Sequence, residues 1–375
     1  MPVYVGVMSG TSLDGVDVAV VRFEGEGERP DELEVTSFRS TPYHAGLRGR
    51  IRSAIGHGSA ETVCALDFEL GRCIGEAVAR ALEIAGVPPG EIRAIGSHGQ
   101  TVWHRPPGPD GPGATLQLGA PAAIVEATGI PVVADFRARD IAAGGHGAPL
   151  TAYSDWLLFA AEAGRAIQNI GGMANLTVLP ARDDGATPIA FDTGPGVALI
   201  DAAIQKWSGG ENAFDRDGEL ASRGSVLEGA IDEWLSDPYF AAPPPKSTGR
   251  EYFSIERLDR WLTRHDGASE ADLAATLTEL TARTIARGFE WATAPVEACY
   301  LCGGGARNPC LTRRIRGALG GVRVAGLAEL GVDPDAREAV AFALLARQHV
   351  LGIPANAPWA TGAAGPRVLG SWTPA

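Results

Sequence analysis

Apolar and polar positions alternate from the first residues of the chain, break at a cluster of small residues, and then resume. Residues 2–8 (PVYVGVM) and 16–23 (VDVAVVRF) are rich in β-branched side chains. The segment between them, GTSLDG, has glycine at both ends, so the pattern predicts two strands joined by a turn. A third strand is expected over Leu33–Arg39, beyond the polar loop GEGERPDE, which makes the opening an antiparallel meander. The period then changes. Leu66, Leu70, Ile74, Val78 and Leu82 recur every four residues, with Ser59 at the start and Gly86 and Pro88 at the end, and this predicts a helix.

The same succession returns later in the chain. Three short strands are expected over Ala166–Ile170, Asn175–Leu179 and Pro188–Phe191, followed by a helix from Val197 to Trp207. The order of elements repeats rather than the residues, so two similar domains are expected. Between the modules lie a Pro/Gly-rich loop over 106–112 and the stretch AAGGHGAP at 142–149, read as a hinge or cleft rim. AAPPPKSTGRE, at 241–251, reads as a proline-rich surface segment. Helical sequence then runs to about Trp291, and Val296–Leu301 reads as a buried strand leading into GGGARN.

Composition narrows the chemistry. A chain of 375 residues exceeds what one core usually serves, and a cleft between two domains is the natural place for a ligand. No apolar run approaches the ~20 residues that span a bilayer, and MPVYVGVMSG lacks the basic start of a secretory signal, so a cytoplasmic protein away from membranes is expected. The net charge of -13 argues against nucleic acid as a partner. Cys299 and Cys302 form a CxxC without a second pair and inside an apolar run, which reads as core packing rather than a zinc or redox site. Lys206 and Lys246 are the only lysines, and neither stands in GxxxxGK[ST], which excludes a P-loop.

Several turns carry candidate chemistry. From Ser9 to Asp17, Gly10 and Gly15 let the backbone approach an anion, while Ser9, Thr11 and Ser12 offer hydroxyl donors on either side of Leu13 and Val16. Asp14 and Asp17 are candidate Mg²⁺ ligands, directly or through water. The plainer alternative is a hairpin turn with capping side chains, but the density of hydroxyl, glycine and acid favours phosphate. Two comparable turns hold Gly171 and Gly172, and Gly194; the latter joins a strand to a helix, whose amides and dipole face an anion. Asp192 ends the apolar run IAFD, where a carboxylate suits a general base, with a helix cap as the alternative. Gly303, Gly304, Gly305 and Asn308 follow a strand, a setting in which adenine can lie on bare backbone or glycine can simply turn the chain. SHGQTVWH gathers His98, Gln100, Trp103 and His104 as sugar pockets do. Asp135, Arg137 and Asp140 follow the apolar IPVV and are expected at a strand end, in substrate contact, with a surface charge cluster as the alternative.

Together GTSLDGVD, SHGQTVWHRP, DFRARDIAAGGHGAPL, NIGGMANLT, FDTGPGVALIDA, PPPKSTGREYFS and CGGGARN resemble the anhydro-N-acetylmuramic acid kinases, in the expected order from about residue 3 to about residue 371. The resemblance implies an α/β fold of two ribonuclease-H-like (actin-like ATPase) domains around a nucleotide and sugar cleft. Their expected extents are 1–135 with about 355–375, and 136–354. It implies an ATP-dependent kinase of peptidoglycan recycling that hydrolyses the 1,6-anhydro ring and phosphorylates O6, giving N-acetylmuramic acid 6-phosphate. Asp192 would then activate water, Gly10 to Asp17 would hold the β- and γ-phosphates with Mg²⁺, and GGGARN the adenosine end. His98, Gln100, Arg137 and Glu338, the last from REAVAFALLA, would contact the sugar. One position departs from the family pattern: Val197 follows DTGPG where Asn is usual. Another 1,6-anhydrosugar such as levoglucosan, or an actin-like ATPase without a sugar, are the alternative readings, and a homodimer is left open.

Overall fold

The valine-rich alternation at the N-terminus forms β1 (Val3–Ser9) and β2 (Gly15–Phe23), paired antiparallel with Val5 opposite Val20. β2 pairs in turn with β3 (Leu33–Pro42). On the far side of β1 lies β4 (Ile92–Arg105), parallel to it, and β4 pairs with both β5 (Ala114–Leu118) and β6 (Val132–Ala134). A strand over Ser371–Thr373 closes the sheet on β6. The structure is a computed structural model that describes residues 1–10, 13–108 and 111–375.

Helix Ala60–Ala85 makes the crossover into β4. Its start is capped by Ser59, whose side chain accepts the Thr62 N–H, and its end by Gly86 in the left-handed conformation. Leu66, Leu70, Ile74, Val78 and Leu82, the stripe read from the sequence, are all buried in the first core.

The chain divides into two compact units, Met1–Leu158 with Asp335–Ala375, and Phe159–Pro334. This differs from the expected extents, which placed 136–158 and 335–354 in the second domain. Helix Arg337–Val350 belongs with the first sheet because glycines there leave it room. A Cβ on Gly6 of β1 would collide with the Ala339 carbonyl, and one on Gly96 of β4 with that of Phe342.

In the second unit β7 (Arg165–Ile170), β8 (Ala174–Leu179) and β9 (Ile189–Gly194) form an antiparallel meander, with β10 (Ala298–Cys302) parallel to β7 and β11 (Arg323–Gly326) parallel to β10. The order β11-β10-β7-β8-β9 repeats β6-β4-β1-β2-β3 strand for strand. The repeat inferred from the sequence is therefore a repeat of topology. Cys299 and Cys302 are buried in β10 outside any disulfide, so the CxxC is core, and burial pushes the Cys299 thiol well above its usual range. No helix among the described residues is long and apolar enough to cross a membrane.

Candidate active-site groups

Thr11 and Ser12 lie outside the described residues, but the residues on either side of them are held by hydrogen bonds. Ser9 Oγ donates to Gln100 Oε1 at 2.5 Å and shares a 2.8 Å hydrogen bond with the Tyr43 hydroxyl. Gln100 Nε2 donates to the Gly10 carbonyl at 3.2 Å, the Leu13 N–H donates to the same carbonyl, and the Tyr43 N–H donates to that of Asp14. Leu13 holds φ 60, a conformation that costs a branched residue energy, while its side chain is buried in the first core. Val16 is buried there too. Only the backbone of these two residues is left to face a phosphate. Gly15 has a packing reason: a Cβ would meet the Thr41 carbonyl of β3. Gln100 is fully buried with its amide spent on Ser9, Gly10 and Thr101, so it anchors the turn and does not contact a substrate as expected.

Asp14 is exposed and Asp17 is half-buried. Burial raises the Asp17 carboxyl above its usual value, with a hydrogen bond from Ser40 pulling it down and Asp335 and Asp14 pushing it up. A carboxylate under that pressure is one a cation would relieve. Among the described residues no group of three His, Cys, Asp or Glu side chains could enclose a metal ion. The pair therefore suits an ion held mainly by phosphate oxygens and water, as Mg²⁺ commonly is.

His98, Arg137 and Glu338 come together. Arg137 donates through Nε and Nη2 to His98 Nε2, at 3.1 and 2.9 Å, and through Nη1 to the Gly147 carbonyl at 2.7 Å. Accepting both makes His98 neutral, with its proton on Nδ1, and burial followed by the Arg137 charge lowers its pKa to about 3. Burial also lowers Arg137 to about 10, opposed by Glu338 and Asp140, and leaves it charged at neutral pH. Glu338, in the first turn of its helix, is pushed up by burial and by Asp17 and Asp155 and pulled down by Arg337 and Arg137. A cation thus stands between a neutral imidazole and an acid whose charge it feels.

A cavity of about 390 Å³ opens beside His98, at the middle of β4 and the end of β6. Ser97, Gln117, Asp67 and Asp135 line it with Val63, Leu116 and Leu118, and Ser97 Oγ and His98 Nδ1 are buried without a hydrogen-bond partner. The other residues of this stretch look elsewhere. Trp103 is exposed, and His104 is bound to Thr115 Oγ1 at 3.1 Å. Asp140 is fully buried and faces inward, which corrects the expectation of substrate contact.

In the second unit Asp192 lies in β9, which runs on to Gly194 and takes in most of the expected turn. Its Oδ2 accepts the Thr248 N–H at 2.9 Å, its own N–H donates to the Lys246 carbonyl, and the Tyr239 hydroxyl donates to its carbonyl at 2.6 Å. It caps no helix: the helix Ala198–Trp207 begins after Val197 with no side-chain cap. Burial raises the Asp192 carboxyl to about 6, with the Thr248 N–H opposing and Glu251 adding to the rise. The carboxylate is therefore held at one oxygen and basic enough to take a proton near neutral pH. The sequence reading missed Tyr239, Lys246 and Thr248; the segment read as proline-rich surface folds over Asp192. Asp201, also missed, is raised to about 6 by burial and Asp215, against the nearby Arg250.

The glycines of this unit make close approaches. A Cβ on Gly194, at φ 146, would press on the Phe240 ring; at Gly172 it would lie 3.1 Å from the Arg250 guanidinium. Gly171 is open beyond Met173, and Gly304 is open altogether. Gly303 and Gly305 abut Asn169 and Ile170. Asn308 Oδ1 accepts the Leu311 N–H at 3.0 Å and so caps the helix Pro309–Leu319. Val197 packs against two apolar clusters of the unit, beside Gly305, so the departure from Asn is absorbed by the core.

Two sheets of one strand order make this an α/β protein of two ribonuclease-H-like units. The family it belongs to is Anhydro-N-acetylmuramic acid kinase, whose pattern matches residues 2–375. Relatives bearing that name include one from Gloeobacter violaceus, 44% identical over 376 residues, which span 99% of this chain and 98% of that one. Another, from Caldanaerobacter subterraneus subsp. tengcongensis, is 42% identical over 378 residues, 98% of this chain and 95% of the relative. Among solved structures, component A of (R)-2-hydroxyglutaryl-CoA dehydratase from Acidaminococcus fermentans aligns over 93% of this chain and 98% of its own, at TM-score 0.47 and 11% identity. A ROK family glucokinase from Streptomyces griseus aligns over 92% and 99%, at TM-score 0.36 and 14% identity.

Proposed function

We propose that the chain phosphorylates 1,6-anhydro-N-acetylmuramic acid at O6 with ATP while adding water across the anhydro bond. The observation that carries this reading is the Asp192 carboxyl, half-buried within β9, raised to about 6 and held at one oxygen by the Thr248 N–H. Asp192 takes the proton of a water whose oxygen bonds to C1. The C1–O6 bond breaks, and O6 takes the γ-phosphoryl group of ATP, leaving ADP and N-acetylmuramic acid 6-phosphate. Arg137, bound to His98, and Glu338 are the side chains suited to orient the sugar, and the turn flanked by Gly10 and Leu13–Asp17 the segment suited to the phosphates. Mg²⁺, when bound through Asp14 and Asp17, would neutralise the charge that builds up on the phosphates during transfer.

Product analysis in ¹⁸O-labelled water tests the route. One label is expected on the anomeric oxygen of the sugar phosphate and none in its phosphoryl group. Unlabelled sugar, or label in the phosphate, would sink it. Turnover of levoglucosan without turnover of the muramic sugar would change the substrate and leave the chemistry.

A further inference from the structure

We propose that Asp140 is a positioning residue that sets Arg137 against His98 and so governs affinity for the sugar. The proposal rests on the reading of Arg137 as a sugar contact.

Asp140 makes more hydrogen bonds than a simple helix residue needs. Oδ2 accepts the Gly147 N–H at 2.8 Å, and Oδ1 accepts Asn356 Nδ2 at 3.0 Å and Thr361 Oγ1 at 2.8 Å. Its carbonyl takes the Gly145 N–H at 2.9 Å, and the His146 N–H reaches the Thr361 carbonyl at 2.7 Å. The loop 143–147 is thereby tied on one side to Asp140 and on the other to the C-terminal segment. Gly147 passes the restraint on: it gives its N–H to Asp140 and receives Arg137 Nη1 at its carbonyl, 2.7 Å away. It sits at φ 69, and a Cβ there would meet Ile141 at 2.8 Å, so this residue alone has the freedom the relay requires.

Two further N–H groups of the guanidinium end on one nitrogen of His98. A neutral imidazole attracts Arg137 weakly compared with a carboxylate, so the Gly147 carbonyl decides where the fork lies. Loosening Asp140 frees that carbonyl. Arg137 then swings toward Glu338, the acid whose charge it feels most, and leaves the sugar without a fixed partner.

Two measurements separate the proposal from the reading beneath it. The ¹⁵N signals of His98 Nε2 and Arg137 Nε report the contact directly, and the sugar KM reports its use. Asp140→Asn introduces an amide donor where only donors arrive, so one arm must break. We expect both signals to move, the sugar KM to rise roughly tenfold, and kcat and the KM for ATP to stay within about threefold. Thr361→Val should shift all three in the same sense by less, and Thr361→Ser should restore them. Signals that stay in place in folded Asp140→Asn overturn the proposal. Signals that move with an unchanged sugar KM uphold the positioning and remove Arg137 from the sugar site. Should Asp140→Asn fail to fold, Thr361→Val is read by the same criteria.

Discussion

A carboxyl raised to about 6 leaves a mark on the pH profile. Asp192 must be ionised to act as base, so kcat/KM for the sugar should climb from acid with an apparent pKa near 6 and then level off. A limb near 4 would mean that the carboxylate is not buried during turnover. The same shift has a cost in stability. The folded state holds the Asp192 proton more tightly than the unfolded chain, so ionisation above pH 6 weakens the fold. Asp192→Asn should therefore lose turnover, retain ATP binding, and melt higher than the wild type at pH 8, with the difference gone below about pH 4. Equal melting temperatures at pH 8 would deny the strain. Asp192 was legible because an acid at the end of the apolar run IAFD has little other reason to be there. Thr248 was not, because it acts through its backbone N–H from 56 positions away and any residue but proline could serve. Gln100 was misread for a related cause: an amide in a polar motif looks the same whether it faces a ligand or ties a turn.

Among the elements, the helix Arg337–Val350 shows what the period of a sequence reveals and what it hides. Its small and apolar residues announce a buried helix, but nothing in them names the sheet it covers. The complementary signal is Gly6 and Gly96, which in isolation read as weak points in strands; they are the surface on which the helix backbone rests. Gly6→Ala and Gly96→Ala should each cost about 3 kcal/mol or more, because backbone meets backbone and neither side can move aside as a side chain would. Gly49, inside the helix Ala45–Ala54 with open space around it, is the control. Gly49→Ala should gain up to about 1 kcal/mol from helix propensity. Urea midpoints of the three variants check this, and a Gly6→Ala protein as stable as the wild type would undo the packing argument.

Across the whole molecule the repeated topology carries opposite acid responses. In the first unit burial lowers His98 to about 3 and His104 to about 4, so from pH 6.5 downward the unfolded chain takes up protons that the folded unit refuses. Stability there falls as pH falls. In the second unit Asp192 and Asp201 are raised to about 6, so the folded unit gains protons before the unfolded chain does and stability rises over the same range. Asp17, Asp135 and Glu338 in the first unit are raised as well and oppose the histidines there, and the lowered carboxyls of Glu233 and Asp237 oppose the aspartates in the second. Between pH 6.5 and about 5 the two histidines and the two aspartates pull the two units in opposite directions. Hydrogen exchange, corrected for the intrinsic rate, should show protection in β1 and β4 falling between pH 7 and pH 5 while that in β7 and β8 holds or rises. Protection that falls in step in both sheets would contradict the assignment. His98→Gln should flatten the fall in the first unit, because a glutamine takes up no proton in the unfolded chain.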